Sequence, residues 1–117
     1  FWYRVYSPHR TRWSTYPLAD RRKLIHDHAA TVFEDVCRAR IPGARRYWER
    51  DLELDLVSPD PERAGGLLVA EVKWRLLTRE QRGQVLGQLE HTWAASSLPS
   101  RHRHVRFDVI DASRLAD

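Results

Sequence analysis

Methionine is absent from this chain of 117 residues, and cysteine occurs once, at Cys37. A single thiol excludes an internal disulfide and a cysteine-rich zinc site, and it fits a reducing cytoplasm as the expected location. Packing is its expected role. No run approaches the roughly 20 apolar residues that span a bilayer, and no leader pattern precedes the first polar segment, so no membrane partner is expected. Internal repeats and low-complexity stretches are missing too. There is no G-x-x-x-x-G-K-[ST] phosphate loop, and Gly65-Gly66 reads instead as a turn. With no Met even at position 1, where the chain opens Phe1-Trp2-Tyr3, the expectation is a piece of a longer protein.

What is present suffices for one domain with one core. Net charge is +4, and the basic residues are mostly Arg, the side chain best suited to bidentate phosphate contacts. Residues 1–17 read as a connector that is strand-like over Phe1 to Val5 and basic thereafter, with Arg10 and Arg12. Residues 18–117 read as the folded domain. From Leu18 to Arg40 the apolar positions Leu24, Ile25, Ala29, Val32, Phe33, Val36 and Cys37 recur at three and four residues, the spacing of an amphipathic helix. Ile41-Pro42-Gly43 ends it.

A strand is expected over Ala44 to Glu49, and a second over Asp51 to Val57. In the second, Leu52, Leu54 and Leu56 alternate with Asp51, Glu53 and Asp55, which predicts one acidic face. Asp51 and Glu53 read as solvated, and Asp55 as deeper. The turn-rich stretch from Ser58 to Gly66 predicts a hairpin into a third strand, Leu67 to Trp74, which brings Asp55 toward Glu71. Thr78 then caps a helix to about Ser96, with Val85, Leu86, Leu89 and Trp93 on its apolar face. Gly87 suggests that this helix approaches the sheet closely. Arg79, Arg82, Gln84 and Gln88 form the opposite, polar and basic face, and with Arg75 they are the candidate nucleic-acid contacts. A last strand runs from Val105 to Ile110. The order is α-β-β-β-α-β, an α+β fold of α/β/α type with a mixed central sheet.

The third strand carries the chemistry. Alternation puts Glu71 and Lys73 on one side and Ala70, Val72 and Trp74 on the other. The strand is otherwise almost wholly apolar, as a central strand is, and an unpaired charge in such a place costs several kcal/mol. One resolution is a mutual salt bridge. The other is a divalent cation held by Asp55 and Glu71 with Lys73 beside it. A chance E-x-K is expected on the order of once in two or three chains of this length, so context has to decide. Glu34, beside the apolar stripe of the first helix, is the candidate fourth member. The histidines do not make a zinc site: His26 and His28 point in different directions on a helix, and His102 and His104 have no cysteine partners. No motif surrounds Ser14, Ser58 or Cys37 as a nucleophile.

The element order, with an acid on the first helix, one at the end of the second strand and E-x-K on the third, resembles the PD-(D/E)XK nuclease superfamily. More narrowly, Phe1-Trp2-Tyr3-Arg4, Phe33-Glu34-Asp35-Val36-Cys37, Glu53-Leu54-Asp55-Leu56-Val57 and Glu71-Val72-Lys73-Trp74 resemble the DUF234 domain found at the C-terminus of archaeal-type P-loop ATPases. Ala70 departs from that pattern, standing where such domains are expected to carry Gly. The resemblance implies a restriction-endonuclease-like core and hydrolysis of nucleic-acid phosphodiester bonds, with DNA as the expected substrate. It implies Mg²⁺ or Mn²⁺ held by Asp55, Glu71 and the backbone carbonyl of Val72, with Lys73 and Glu34 as catalytic residues. It also implies a P-loop ATPase domain in the same full-length chain. Two other readings stand beside it: a nuclease fold without catalysis that binds DNA or protein and regulates the ATPase, and an unrelated α+β interaction domain with a surface Glu71–Lys73 salt bridge.

Overall fold

The computed structural model describes residues 17–116; the strand-like reading of Phe1 to Val5 and most of the connector lie outside them. Helix α1 spans Leu18–Arg40, strand β1 Arg45–Glu49, β2 Leu52–Pro59 and β3 Leu67–Val72. Helix α2 spans Arg79–Ala95 and β4 Val105–Ile110, with short 3-10 turns at Leu98–Ser100 and Ala112–Ala116. The sheet order is β1-β2-β3-β4. β1, β2 and β3 form an antiparallel meander, and β4 returns through α2 to lie parallel to β3. The expected α+β class and mixed sheet are both present.

Local chemistry explains the boundaries. Gly43 takes φ 76°, a conformation that favours glycine, and a Cβ there would stand 3.0 Å from the ring of Pro59. At the start of α2 the Thr78 hydroxyl accepts from the Gln81 N–H at 3.1 Å, and the Gln81 side chain accepts from the Thr78 N–H at 3.0 Å. This reciprocal box satisfies two backbone donors that the first turn would otherwise leave unpaired.

Each helix covers one face of the sheet. Phe33 and Cys37 of α1 pack with Leu56, Leu68, Ala70, Val72 and Ile110. Leu89 and Trp93 of α2 pack with Leu54, Val69 and Leu98 on the other side. Trp74 closes the first layer with its ring centroid 5.1 Å from that of Phe33. At about 25 cal/mol per Å² of apolar surface removed from water, these layers are the main favourable term for the fold.

Three expectations are corrected. Leu54 and Leu56 belong to opposite layers, so β2 has no continuous acidic face. The cause is a bulge: Arg45 pairs with Val57 but Tyr47 with Leu54, so two steps along β1 meet three along β2. The extra residue reverses the alternation near Asp55. Second, Ile25 and Val32 of the apolar stripe on α1 remain exposed while only Phe33 and Cys37 are buried. A helix of 23 residues is about 35 Å long, whereas a six-residue strand spans about 20 Å, so the sheet covers only part of it. Third, a Cβ built on Gly87 meets nothing within 4 Å; this glycine borders an open cleft and makes no close approach to the sheet.

Candidate functional site

The bulge in β2 decides where Asp55 points. Pairing between β2 and β3 runs from Pro59↔Leu67 to Leu56↔Ala70. One residue beyond, the Asp55 carboxylate takes over from the ladder, its Oδ2 accepting the Val72 N–H at 2.9 Å. The N–H and C=O of a strand residue face the same neighbour, so the Val72 carbonyl also faces the Asp55 side. Lys73 N–H points the other way, donating to the Ile110 carbonyl of β4 at 2.8 Å. The two strands part here, and the acids gather where they part.

Glu71 stands on the α2 side of β3, with the Lys73 ammonium 3.4 Å from its Oε1. The Glu71 carboxyl is pushed up to about 7, first by burial and then by the neighbouring Asp55, as a like charge and as a hydrogen-bond partner, against the opposing pull of Lys73. Two carboxylates that close disfavour double ionisation. Glu34 faces the same group from α1. Its pKa is raised by burial and then by Asp55, with Glu53 adding and Arg38 and Arg46 opposing. Asp55, Glu71 and Lys73 are thus brought together, and Glu34 is within electrostatic reach.

Among the described residues no three His, Cys, Asp or Glu side chains converge as a ready cation cage. The donors present are the carboxylate pair and the Val72 peptide. That set suits a hard ion such as Mg²⁺, which takes one or two carboxylates and keeps several waters. The observation that bears on the fit is the raised pKa of Glu71 beside Asp55, a charge repulsion that a cation there would relieve.

An open cleft of about 720 Å³ runs along Glu71 and Lys73, walled by Gln84, Gln88 and His91 of α2 and by Glu53. The five expected nucleic-acid contacts do not form one surface. Gln84 and Gln88 line the cleft, but Arg82 turns inward and donates to the Val109 carbonyl at 2.6 Å. Two residues on a helix are 200° apart, which separates Arg82 from Gln84. Arg75 and Arg79 are exposed outside the cleft walls.

Three residues escaped the sequence reading. Arg38, one helical turn after Glu34, donates to the Asp55 carbonyl at 3.0 Å and to Asp35 at 2.7 Å, and lies 3.7 Å from Glu34. The i,i+4 spacing of Glu34 and Arg38 was the available signal. Asp111, buried beside β4, accepts from the Leu77 N–H at 3.1 Å and from Ser113. It ties the segment after Lys73 to the end of β4. His91 follows Gln84 and Gln88 on the same helix face.

The profile of the DUF234 family, described as archaea bacterial proteins of unknown function, matches residues 2–85. The chain belongs to the DUF234 family. No curated protein matches this DUF234 chain, and no solved structure does. All four grouped residues, Glu34, Asp55, Glu71 and Lys73, fall inside the matched part of the DUF234 domain. His91 and Asp111 lie beyond it.

Proposed function

We propose that this domain hydrolyses nucleic-acid phosphodiester bonds with the help of a divalent cation. One observation carries the reading: at the point where β2 and β3 part, Asp55 and a Glu71 with raised pKa share a site with Lys73, at the edge of an open cleft. Perturbed carboxyls in a cleft are a mark of functional sites. Asp55 and Glu71, with the Val72 carbonyl, would hold Mg²⁺ or Mn²⁺. Such an ion, when bound, supplies Lewis-acid polarisation of a phosphate oxygen and lowers the pKa of a bound water.

The chain's own residues do the rest. Lys73 donates hydrogen bonds to the attacking water and to the phosphate oxygen on which charge grows. Glu71 is poised to lose its proton near neutral pH, which frees both oxygens as ligands. Glu34 accepts a hydrogen bond from water on the α1 side. Gln84 and Gln88 offer amide donors to the backbone of a strand lying in the cleft. The P-loop ATPase implied by the family resemblance would be joined to this domain in the full-length protein.

The competing reading, a nuclease fold that binds without cutting, is favoured by the Glu71–Lys73 pair at 3.4 Å, in which each charge already has a partner. Titration calorimetry of Mn²⁺ into wild type, Asp55→Ala and Glu71→Ala, with plasmid nicking on the same samples, separates them. Hydrolysis requires binding and nicking that both variants lose. Mn²⁺ binding that neither substitution alters would remove the cation site and leave the binding module.

A further inference from the structure

Strand β1 is an edge strand, and it exposes a tryptophan. Trp48 keeps 69% of its surface accessible, although an indole is the largest apolar side chain and is usually well buried. Side chains two apart on a strand share a face, so Arg46 flanks Trp48 on the same side. Arg50 follows in the turn, and all three line a shallow groove of about 350 Å³ with Asp51, Leu52 and Glu53. Arg46 is held in place by an ion pair with Glu53.

A second, independent observation concerns the backbone. Arg50 is the one non-glycine residue among those described with positive φ, at 56°. It is the first of the two residues joining β1 to β2, a position where hairpins with φ above zero favour glycine. An arginine there carries a conformational cost that glycine would not, and strain of this kind gathers at functional sites. The groove also shares a lining residue with the acidic cleft. Glu53 lines both the groove and the Glu71–Lys73 cleft, and the Arg46 guanidinium acts electrostatically on Glu34.

Resting on the phosphodiesterase reading, we propose that the β1–β2 hairpin is a stacking platform on which Trp48, between Arg46 and Arg50, holds an unpaired nucleotide of a single-stranded or frayed nucleic acid beside the acidic site. An exposed indole takes the face of any base, and the Arg50 guanidinium meets an adjacent phosphate, while Arg46, paired with Glu53, borders the platform. A paired base keeps its faces inside the stack, so the platform selects single strands over duplex. The site would thereby receive a strand end or junction in preference to an intact helix.

The test is fluorescence anisotropy of labelled 12-nucleotide single strands and the matching duplex with the full chain, in Ca²⁺ or EDTA so that nothing is cut. Base stacking on an aromatic is worth about 1–3 kcal/mol, so Trp48→Ala should weaken single-strand binding at least about five-fold and leave duplex binding within about two-fold. Trp48→Phe should retain most of the affinity. Arg50→Gly should bind single strands more weakly while its unfolding midpoint rises, which a purely structural residue would not do. Equal affinity of Trp48→Ala and wild type for single strands would overturn the platform, as would no oligonucleotide binding by wild type. A wild-type dimer in sedimentation that Trp48→Ala converts to monomer would also overturn it, by assigning the face to a second copy. Each result is separable from the nuclease reading, because Mn²⁺ binding and its loss in Asp55→Ala are measured without oligonucleotide.

Discussion

Glu71→Gln should stabilise the protein, and increasingly so as pH rises from about 4.5 to about 7. In the folded chain burial and Asp55 hold the Glu71 carboxyl up to about 7, against an ordinary 4.5. The folded state therefore keeps this proton where the unfolded chain has already released it. Stability falls as pH rises when the native state binds more protons, so the cost of Glu71 grows from about pH 4.5 and is complete above about 7. At about 1.4 kcal/mol per pH unit, it reaches roughly 3 kcal/mol at pH 8 and falls below about 1 kcal/mol at pH 5; with Glu71 24% exposed, screening makes the larger figure an upper bound. Glutamine keeps the shape and a donor for Asp55 but never ionises. Urea unfolding of both proteins at pH 5 and pH 8 measures the difference, and titrations of groups that do not interact with Glu71 cancel. A gap between the two proteins that does not change with pH, or a Gln variant less stable than wild type at pH 8, would refute the reasoning.

Further outcomes follow from single contacts. Arg38→Ala removes a charged donor to the Asp55 carbonyl and should cost about 2 kcal/mol in denaturant, with weaker Mn²⁺ binding in calorimetry; Arg38→Lys should recover part of both. Glu49, which accepts from Tyr47 and from Ser97, is held down at about 2 chiefly by the Tyr47 hydroxyl. Its contribution is present above about pH 4.5 and is lost as pH falls toward 2, so the gap in melting temperature between wild type and Glu49→Gln should narrow on acidification from pH 7 to pH 3. Gly83 sits in α2 with open space where a Cβ would be, and Gly83→Ala should raise stability by about 1 kcal/mol; an unchanged or lower unfolding midpoint would show that the helix there is not limited by glycine. Arg50→Gly should gain about 1 kcal/mol by relieving the positive φ, read from the same unfolding curves as its weaker single-strand binding.

Most of the architecture was legible because the chain is punctuated by residues with definite backbone chemistry. Pro17, Ile41-Pro42-Gly43, the run from Ser58 to Gly66 and the Thr78 cap delimit the elements within a residue or two. Hairpin logic also placed Asp55 opposite the Glu71 end of β3. The bulge was not legible, because Leu52, Leu54 and Leu56 alternate without interruption and one extra residue on a strand changes facing without changing the pattern. The same blindness hid Arg38, whose partner is a backbone carbonyl 17 positions away, and Asp111, whose partners are the amides of a loop. Arg82 illustrates the converse: a charged residue written on a polar face finds a carbonyl on the buried side. Helical periodicity says which residues share a stripe but not how far the neighbouring sheet extends beneath it, which is why Ile25 and Val32 were read together with Phe33.

The parallel partner of β3 has a consequence for how the family's unit should be cut. The matched segment stops at residue 85, part-way along α2, whereas β4 begins at Val105 and pairs with β3 over its whole length, from Leu67↔Val105 to Val72↔Ile110. A polypeptide ended at that boundary would present β3 as a bare apolar edge, lack Leu89 and Trp93 beneath the sheet, and leave Lys73 without its anchor on Ile110. Such an edge is a template for self-association. The stretch that sequence similarity recognises is therefore smaller than the stretch that folds, and any expression boundary or domain graft has to run past Asp111 to carry the acidic site intact.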